Sequence, residues 1–386
     1  MRKTFVPVLS LLLMLALSAT SAAADPASIT LSASASKVEV GESVTLSGAI
    51  APAAAGQTVE IHDAADTVLA TSVTDAGGAF SADLAPEATA AYRAVWAGIA
   101  SDAVTVGVRS SVSIRLPPVR LFDHVTVQGR VQPAVIGADA LVTLSVGGDV
   151  VATDHARIGA GGGFRAVFAA EDPGTYRARA MFSDTDLLPG KAVSAARTTP
   201  LPSLHDGSTG VFVGLLERRL VALHYRLEGI NRDYDARTGD AVVAFRKVQG
   251  MNRVFTVDAA VWRALADPVV PRARSRDHGF HIEVDQTRQV LYTVQDGDIT
   301  NILHISSGKP STPTRDGSFH VTRKIAGYSP NHLYYPSYFD GYRALHGWTD
   351  VPTYAASHGC VRMPYWNAKF IFGLAKIGTP VIVYHR

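Results

Sequence analysis

The chain has 386 residues, with 36 Lys plus Arg against 34 Asp plus Glu and a single cysteine. A near-neutral balance with no basic run interleaved with aromatics argues against a nucleic-acid partner, and one cysteine excludes a disulfide-stapled scaffold. After residue 24 no apolar run approaches the roughly 18 to 20 residues of a membrane span, so the remaining stretch of about 360 residues reads as two to four globular domains.

Residues 1–24 have the layout of an export signal peptide. Arg2 and Lys3 give a basic start, Phe5 to Leu17 an apolar core too short to cross a bilayer comfortably, and Ala22-Ala23-Ala24 before Asp25 a small-residue cleavage site. No cysteine follows the apolar core to take a lipid, so the expectation is a cleaved, secreted, extracytoplasmic protein with no stable membrane span.

Residues 25–109 and 110–200 contain an internal repeat at a spacing of about 80 to 85 residues. Val44-Thr45-Leu46-Ser47-Gly48 recurs as Val125-Thr126-Val127-Gln128-Gly129, and Gly78-Ala79-Phe80 with Tyr92-Arg93-Ala94 recurs as Gly163-Phe164 with Tyr176-Arg177-Ala178. Short alternating runs between Gly and Pro signals predict antiparallel strands with one wet face, hence two immunoglobulin-like β-sandwich domains acting as spacers.

Composition changes at Thr198-Thr199-Pro200-Leu201-Pro202, a stiff linker. From 201 to 268 the period becomes helical. Leu216, Leu220 and Leu223 share a face, Thr238 is placed to cap a helix carrying Ala241, Phe245 and Val248, and Thr256 one carrying Val261 and Leu265. The segments Leu215–Leu220, Asp233–Thr238, Ala241–Lys247 and Val261–Leu265 resemble the three-helix peptidoglycan-binding domain of bacterial wall enzymes. That resemblance implies attachment to the bacterial cell wall.

A second proline-containing hinge, Asp267 to Pro271, leads into residues 275–386, which are expected to fold on their own core. His281–Asp285 and Gln289–Val294 read as a hairpin, Ile299–Ser306 and Thr379–Tyr384 as further strands, and Pro364–Ala375 as a helix. Here lies the only thiol, in Ser357-His358-Gly359-Cys360-Val361-Arg362, with a further histidine at 346. A lone thiol kept in an exported chain, in a Gly-containing turn beside histidine, has the residue types of a Cys/His nucleophile pair. Either His346 or His358 can serve as its base. His358 is two residues from the thiol, which in an extended strand puts both on one side. Zinc ligation by His346, His358 and Cys360 is the other chemistry these residue types allow, although no His-Glu-x-x-His or Cys-x-x-Cys pattern accompanies them.

In order, Ser307-Gly308-Lys309, Thr312-Pro313-Thr314, Leu345-His346-Gly347, Ser357-His358-Gly359-Cys360-Val361-Arg362-Met363 and Gly378-Thr379-Pro380-Val381 resemble the L,D-transpeptidase (YkuD-type) catalytic domain, a mostly-β fold. The resemblance implies that Cys360 attacks a peptidoglycan tetrapeptide stem to form a thioester, without a cofactor, and passes it to an amine as a 3-3 cross-link. It makes His346 the base, with the Gly347 carbonyl holding its tautomer and His358 shaping the turn. Backbone N–H groups of Gly359 and Cys360 suit an oxyanion hole. Arg362 presents a fork suited to a carboxylate, and Ser357, Tyr335 and Trp348 are the remaining candidate substrate contacts. An L,D-carboxypeptidase sharing the thioester, and a non-catalytic wall-binding protein, are the alternative functions.

Overall fold

The structure, a computed structural model, describes residues 26–386, so the expected signal peptide lies outside the described residues. Residues 26–111 together with 182–190 form one compact unit, and 112–181 with 191–386 form another.

In the first unit Val44–Ala51 pairs antiparallel with Ala79–Leu84, and Thr58–His62 pairs with both Val68–Val73 and Ala90–Trp96. Val44, Leu46, Ile50, Val59 and Ile61 are among its buried positions, spaced as the period of two requires. In the second unit His124–Gln132 pairs with Gly163–Ala169, and Asp139–Val146 with Asp149–Arg157. The sequence repeat has a physical content visible in each register. Gly48 faces Phe80 and Gly129 faces Phe164. A Cβ on Gly48 would stand 2.7 Å from the Phe80 ring, and one on Gly129 2.1 Å from the Phe164 ring. Each ring lies over bare backbone, which only glycine provides.

Three helices follow, α1 (Val211–Ala222), α2 (Ala236–Val248) and α3 (Ala259–Ala266). The expected caps were displaced. Asp235, not Thr238, caps α2 by accepting from Arg237 and Thr238 N–H at 2.9 and 3.0 Å, and Asp258, not Thr256, caps α3 by accepting from Val261 N–H at 3.0 Å. A carboxylate is the stronger acceptor at a helix N-terminus; Thr238 is instead buried and donates to Glu217.

The C-terminal strands form two sheets. The first has order β3 (Asp298–His304), β2 (Val290–Gln295), β1 (Phe280–Asp285), β9 (Pro380–Tyr384), β4 (Gly317–His320); all its pairs are antiparallel except β1 with β9. The second has order β5 (Arg323–Lys324), β6 (Tyr334–Asp340), β7 (Arg343–Gly347), β8 (Val361–Met363), with β7 and β8 parallel. Helix α4 (Tyr365–Leu374) packs on β6 and β7.

One face of the first sheet meets the second through Ile282, Val284, Leu291, Leu303, Leu345, Val361 and Met363. The opposite face of β2 and β3, with Val290, Tyr292, Val294 and Ile302, lies in the same apolar cluster as Leu216, Phe245 and Trp262 of the three helices. The helical segment and the C-terminal strands therefore share a core across the proline-containing hinge, besides the core that the C-terminal strands form among themselves. The linker is docked as well: the N–H groups of Arg274 and Ser275 donate to the buried Glu283 carboxylate at 2.9 and 2.8 Å. Lys247 of α2 adds a polar contact inside the joint, donating to the carbonyls of Gln289 and Ile305 at 2.8 and 3.0 Å and to His304 Nδ1 at 2.6 Å.

Candidate functional site

The parallel pair β7/β8 sets the site. Leu345, His346 and Gly347 stand beside Val361, Arg362 and Met363 respectively. Leu345, Val361 and Met363 point into the core, so by alternation His346 and Arg362 occupy the opposite face, with Cys360 one residue ahead of β8 on the side of Arg362. His346 is 2% exposed and Cys360 half-buried.

The turn that presents Cys360 is held by sequence-distant groups. Ser307 O accepts from the N–H groups of Ala356 and Ser357, both at 2.9 Å, and Ser357 O accepts from Lys309 N–H at 2.9 Å and from Thr312 Oγ1 at 3.1 Å. Thr314 Oγ1 accepts from Gly308 N–H at 2.9 Å and donates to Gly359 O at 3.0 Å. Ser306 and Arg362 exchange both backbone bonds. Gly359 has φ 110°, a left-handed value, and a Cβ there would come within 2.8 Å of Arg343 Nε.

His346 Nδ1 lies 2.9 Å from the Gly347 carbonyl. A carbonyl only accepts, so Nδ1 carries the hydrogen and Nε2 keeps its lone pair. Burial pushes this imidazole down to about 4, helped by the Arg362 charge. Burial pushes the Cys360 thiol up, opposed by a backbone hydrogen bond at Ala344 and by the charges of Arg343 and Arg362. The resting pair is therefore neutral thiol and neutral imidazole across the physiological range.

Compared with known protein families, residues 279–383 match YkuD, the L,D-transpeptidase catalytic domain. The chain is also similar to the crystal structure of an L,D-transpeptidase from Xylanimonas cellulosilytica, at 33% identity over 48% of this chain and 99% of that one, with a TM-score of 0.46. Residues 279–383 are an L,D-transpeptidase catalytic domain. A mutant L,D-transpeptidase from Enterococcus faecium is 30% identical over 28% of this chain and 50% of its own, with a TM-score of 0.25. No curated protein matches the chain.

Within the L,D-transpeptidase domain the expected site residues separate into groups. His346, Gly347, Arg362 and Trp348 lie together: the Trp348 ring stands edge-on to the His346 ring at 5.6 Å and under the Arg362 guanidinium at 5.3 Å, while Cys360 directly precedes β8 with its thiol 3.9 Å from the Tyr342 carbonyl. Arg362 forms no ion pair among the described residues. His358 is exposed, because the left-handed Gly359 interrupts the extended geometry in which residues i and i+2 share a side. Ser357 belongs to the frame of the turn: its buried hydroxyl donates to Cys360 O and accepts from Gly359 N–H at 3.1 Å. That bond occupies one of the two donors expected for an oxyanion hole and leaves the Cys360 N–H, which has no partner among the described residues. Tyr335 packs edge-on against Tyr334 and Phe372 of α4, at 4.7 and 5.0 Å.

Two contributors escaped the sequence reading. Thr314 appeared only as part of Thr312-Pro313-Thr314, with no role attached. Arg343 carried no signal at all, yet it lies against Gly359, donates to Asp340 at 3.0 Å beside the Arg315–Asp340 pair, and has a buried Nε without a partner. Asp340 thus fixes a guanidinium next to the thiol.

Proposed function

We propose that the protein is a cysteine-dependent L,D-transpeptidase that cross-links peptidoglycan stems. The observation that supports this best is the His346 tautomer: Nδ1–H is tied to Gly347 O, and the uncommitted Nε2 sits on the face that carries the Cys360 thiol. Because burial disfavours both charged forms, the proton passes from Sγ to Nε2 as Sγ attacks, not beforehand. A C–S bond forms at the carbonyl of the third stem residue, the Cys360 N–H steadies the oxyanion, and collapse breaks the C–N bond to the terminal D-Ala, whose nitrogen takes the proton from His346. Attack on the thioester by a side-chain amine of a second stem then gives the 3-3 cross-link and restores the thiol. Arg343 and Arg362 supply positive charge to a site that becomes anionic.

The same reading makes the chain exported and wall-associated, the helical segment 201–268 a peptidoglycan-binding element, and the two β regions ahead of it immunoglobulin-like spacers. Mass spectrometry of the full chain with purified tetrapeptide muropeptides tests the chemistry. Expected are an acyl adduct on the wild type that is absent from Cys360→Ala, and cross-linked dimers in the product. Turnover by Cys360→Ala would remove the mechanism, and tripeptide as the sole product would make the enzyme a carboxypeptidase.

A further inference from the structure

Helix α2 and the loop following His346 enclose a cleft of about 360 Å³. Tyr234, Phe255, Trp348 and Trp366 give it aromatic walls, and Asp206 and Asp240 carboxylates. Asp235 lines it too but is committed as the cap of α2. Asp240 is different: it is 9% exposed, and its carboxylate has no hydrogen bond or ion pair among the described residues. Its oxygens open only onto the cleft, so the donors that this carboxylate takes come from what fills the cleft, water or a ligand. No Lys, Arg or His lines the cleft to supply them.

We propose that this cleft is the subsite for the amine-bearing acceptor stem, with Asp240 receiving the alkylammonium and the aromatic walls its aliphatic arm. An ammonium group offers three hydrogens and positive charge, and its methylene chain suits aromatic faces. The wall shared with the catalytic pair is Trp348, whose ring stands edge-on to that of His346 at 5.6 Å, so one side chain separates the cleft from the base. Burial pushes the Asp240 carboxyl up to about 7, against the charge of Lys247 and with that of Asp235, so a cation brought into the cleft would favour its ionised form. The assignment rests on the L,D-transpeptidase reading for the identity of the amine, and on the cleft alone for its charge.

The test titrates the full chain with Nα-acetyl-lysine methylamide, its Nε-acetylated counterpart and chitobiose, following the Trp348 indole N–H signal by NMR. The free amine is expected to shift that signal at least about tenfold more tightly than the neutral counterpart, and Asp240→Asn to lose about tenfold in amine affinity. Asn keeps the size of Asp and removes a charge that burial already disfavours, so the variant should fold; its melting curve checks this. Equal binding of both lysine derivatives, unchanged binding by Asp240→Asn, no Trp348 shift, or chitobiose alone taking the cleft would each overturn the proposal. A wild type that binds the amine yet forms no adduct at Cys360 with a tetrapeptide would sink the transpeptidase reading and leave the cation site standing. An adduct without amine binding would do the reverse.

Discussion

His304 and His346 are 1% and 2% exposed, and each gives one ring N–H to a backbone carbonyl at 2.9 Å, that of Val351 and that of Gly347. Burial pushes both below the ordinary imidazole range. They part at the second nitrogen. Nδ1 of His304 accepts from Lys247, whose three acceptors match the three hydrogens of an ammonium group. Nε2 of His346 has no partner among the described residues. A closed polar network ties α2 to β2 and β3; an open one, at the same depth, leaves a lone pair for chemistry.

The sharpest way to break this comparison is at His346. His346→Gln keeps a side-chain N–H for Gly347 O and removes the basic nitrogen. It should slow acylation of Cys360 by about 10²- to 10⁴-fold with little change in melting temperature. In the wild type the acid limb of the acylation rate should fall near pH 4 and not near 6.5, because it is the neutral imidazole that accepts the proton. Stopped-flow acylation by a carbapenem reads both, and a limb near 6.5 would mean that His346 is solvated in solution.

At the closed network the expected effect is on stability. Lys247→Met leaves the Ile305 carbonyl and His304 Nδ1 without a donor and the Gln289 carbonyl with only the Ile305 N–H, a loss of about 2–4 kcal/mol in chemical denaturation, while the folded fraction keeps its acylation rate. A loss confined to activity would place Lys247 in the reaction and erase the contrast. Smaller again is Thr314→Val, which orphans Gly308 N–H and Gly359 O beneath the thiol. About 1–2 kcal/mol of stability and a several-fold slower acylation should go together, since the turn and the nucleophile share that hydroxyl. Slower acylation with unchanged stability would show that the frame acts on the substrate instead.

Much was legible locally. The repeat of Gly48 and Phe80 at Gly129 and Phe164 marked strands, and the register then pairs Gly48 with Phe80 and Gly129 with Phe164. The motif from Ser357 to Arg362 pointed to the L,D-transpeptidase domain because its parts lie within one turn. Caps at Thr238 and Thr256 were misplaced since a nearby aspartate competes for the same N–H groups. The shared core had a sign that went unused: Val290-Leu291-Tyr292-Thr293-Val294 has no wet face, as a strand covered on both sides requires.

What the sequence determined by itself is the family motif around the single thiol and the periodicity of the elements, because both depend on residues a few positions apart. What the tertiary structure decided is which histidine keeps a free nitrogen, which arginine lies against Gly359, and which carboxylate faces a cleft without a partner. Each of these is a matter of what burial leaves unpaired. That balance is struck between segments as distant as α2 and the loop after His346, and it has no expression until the chain closes around them.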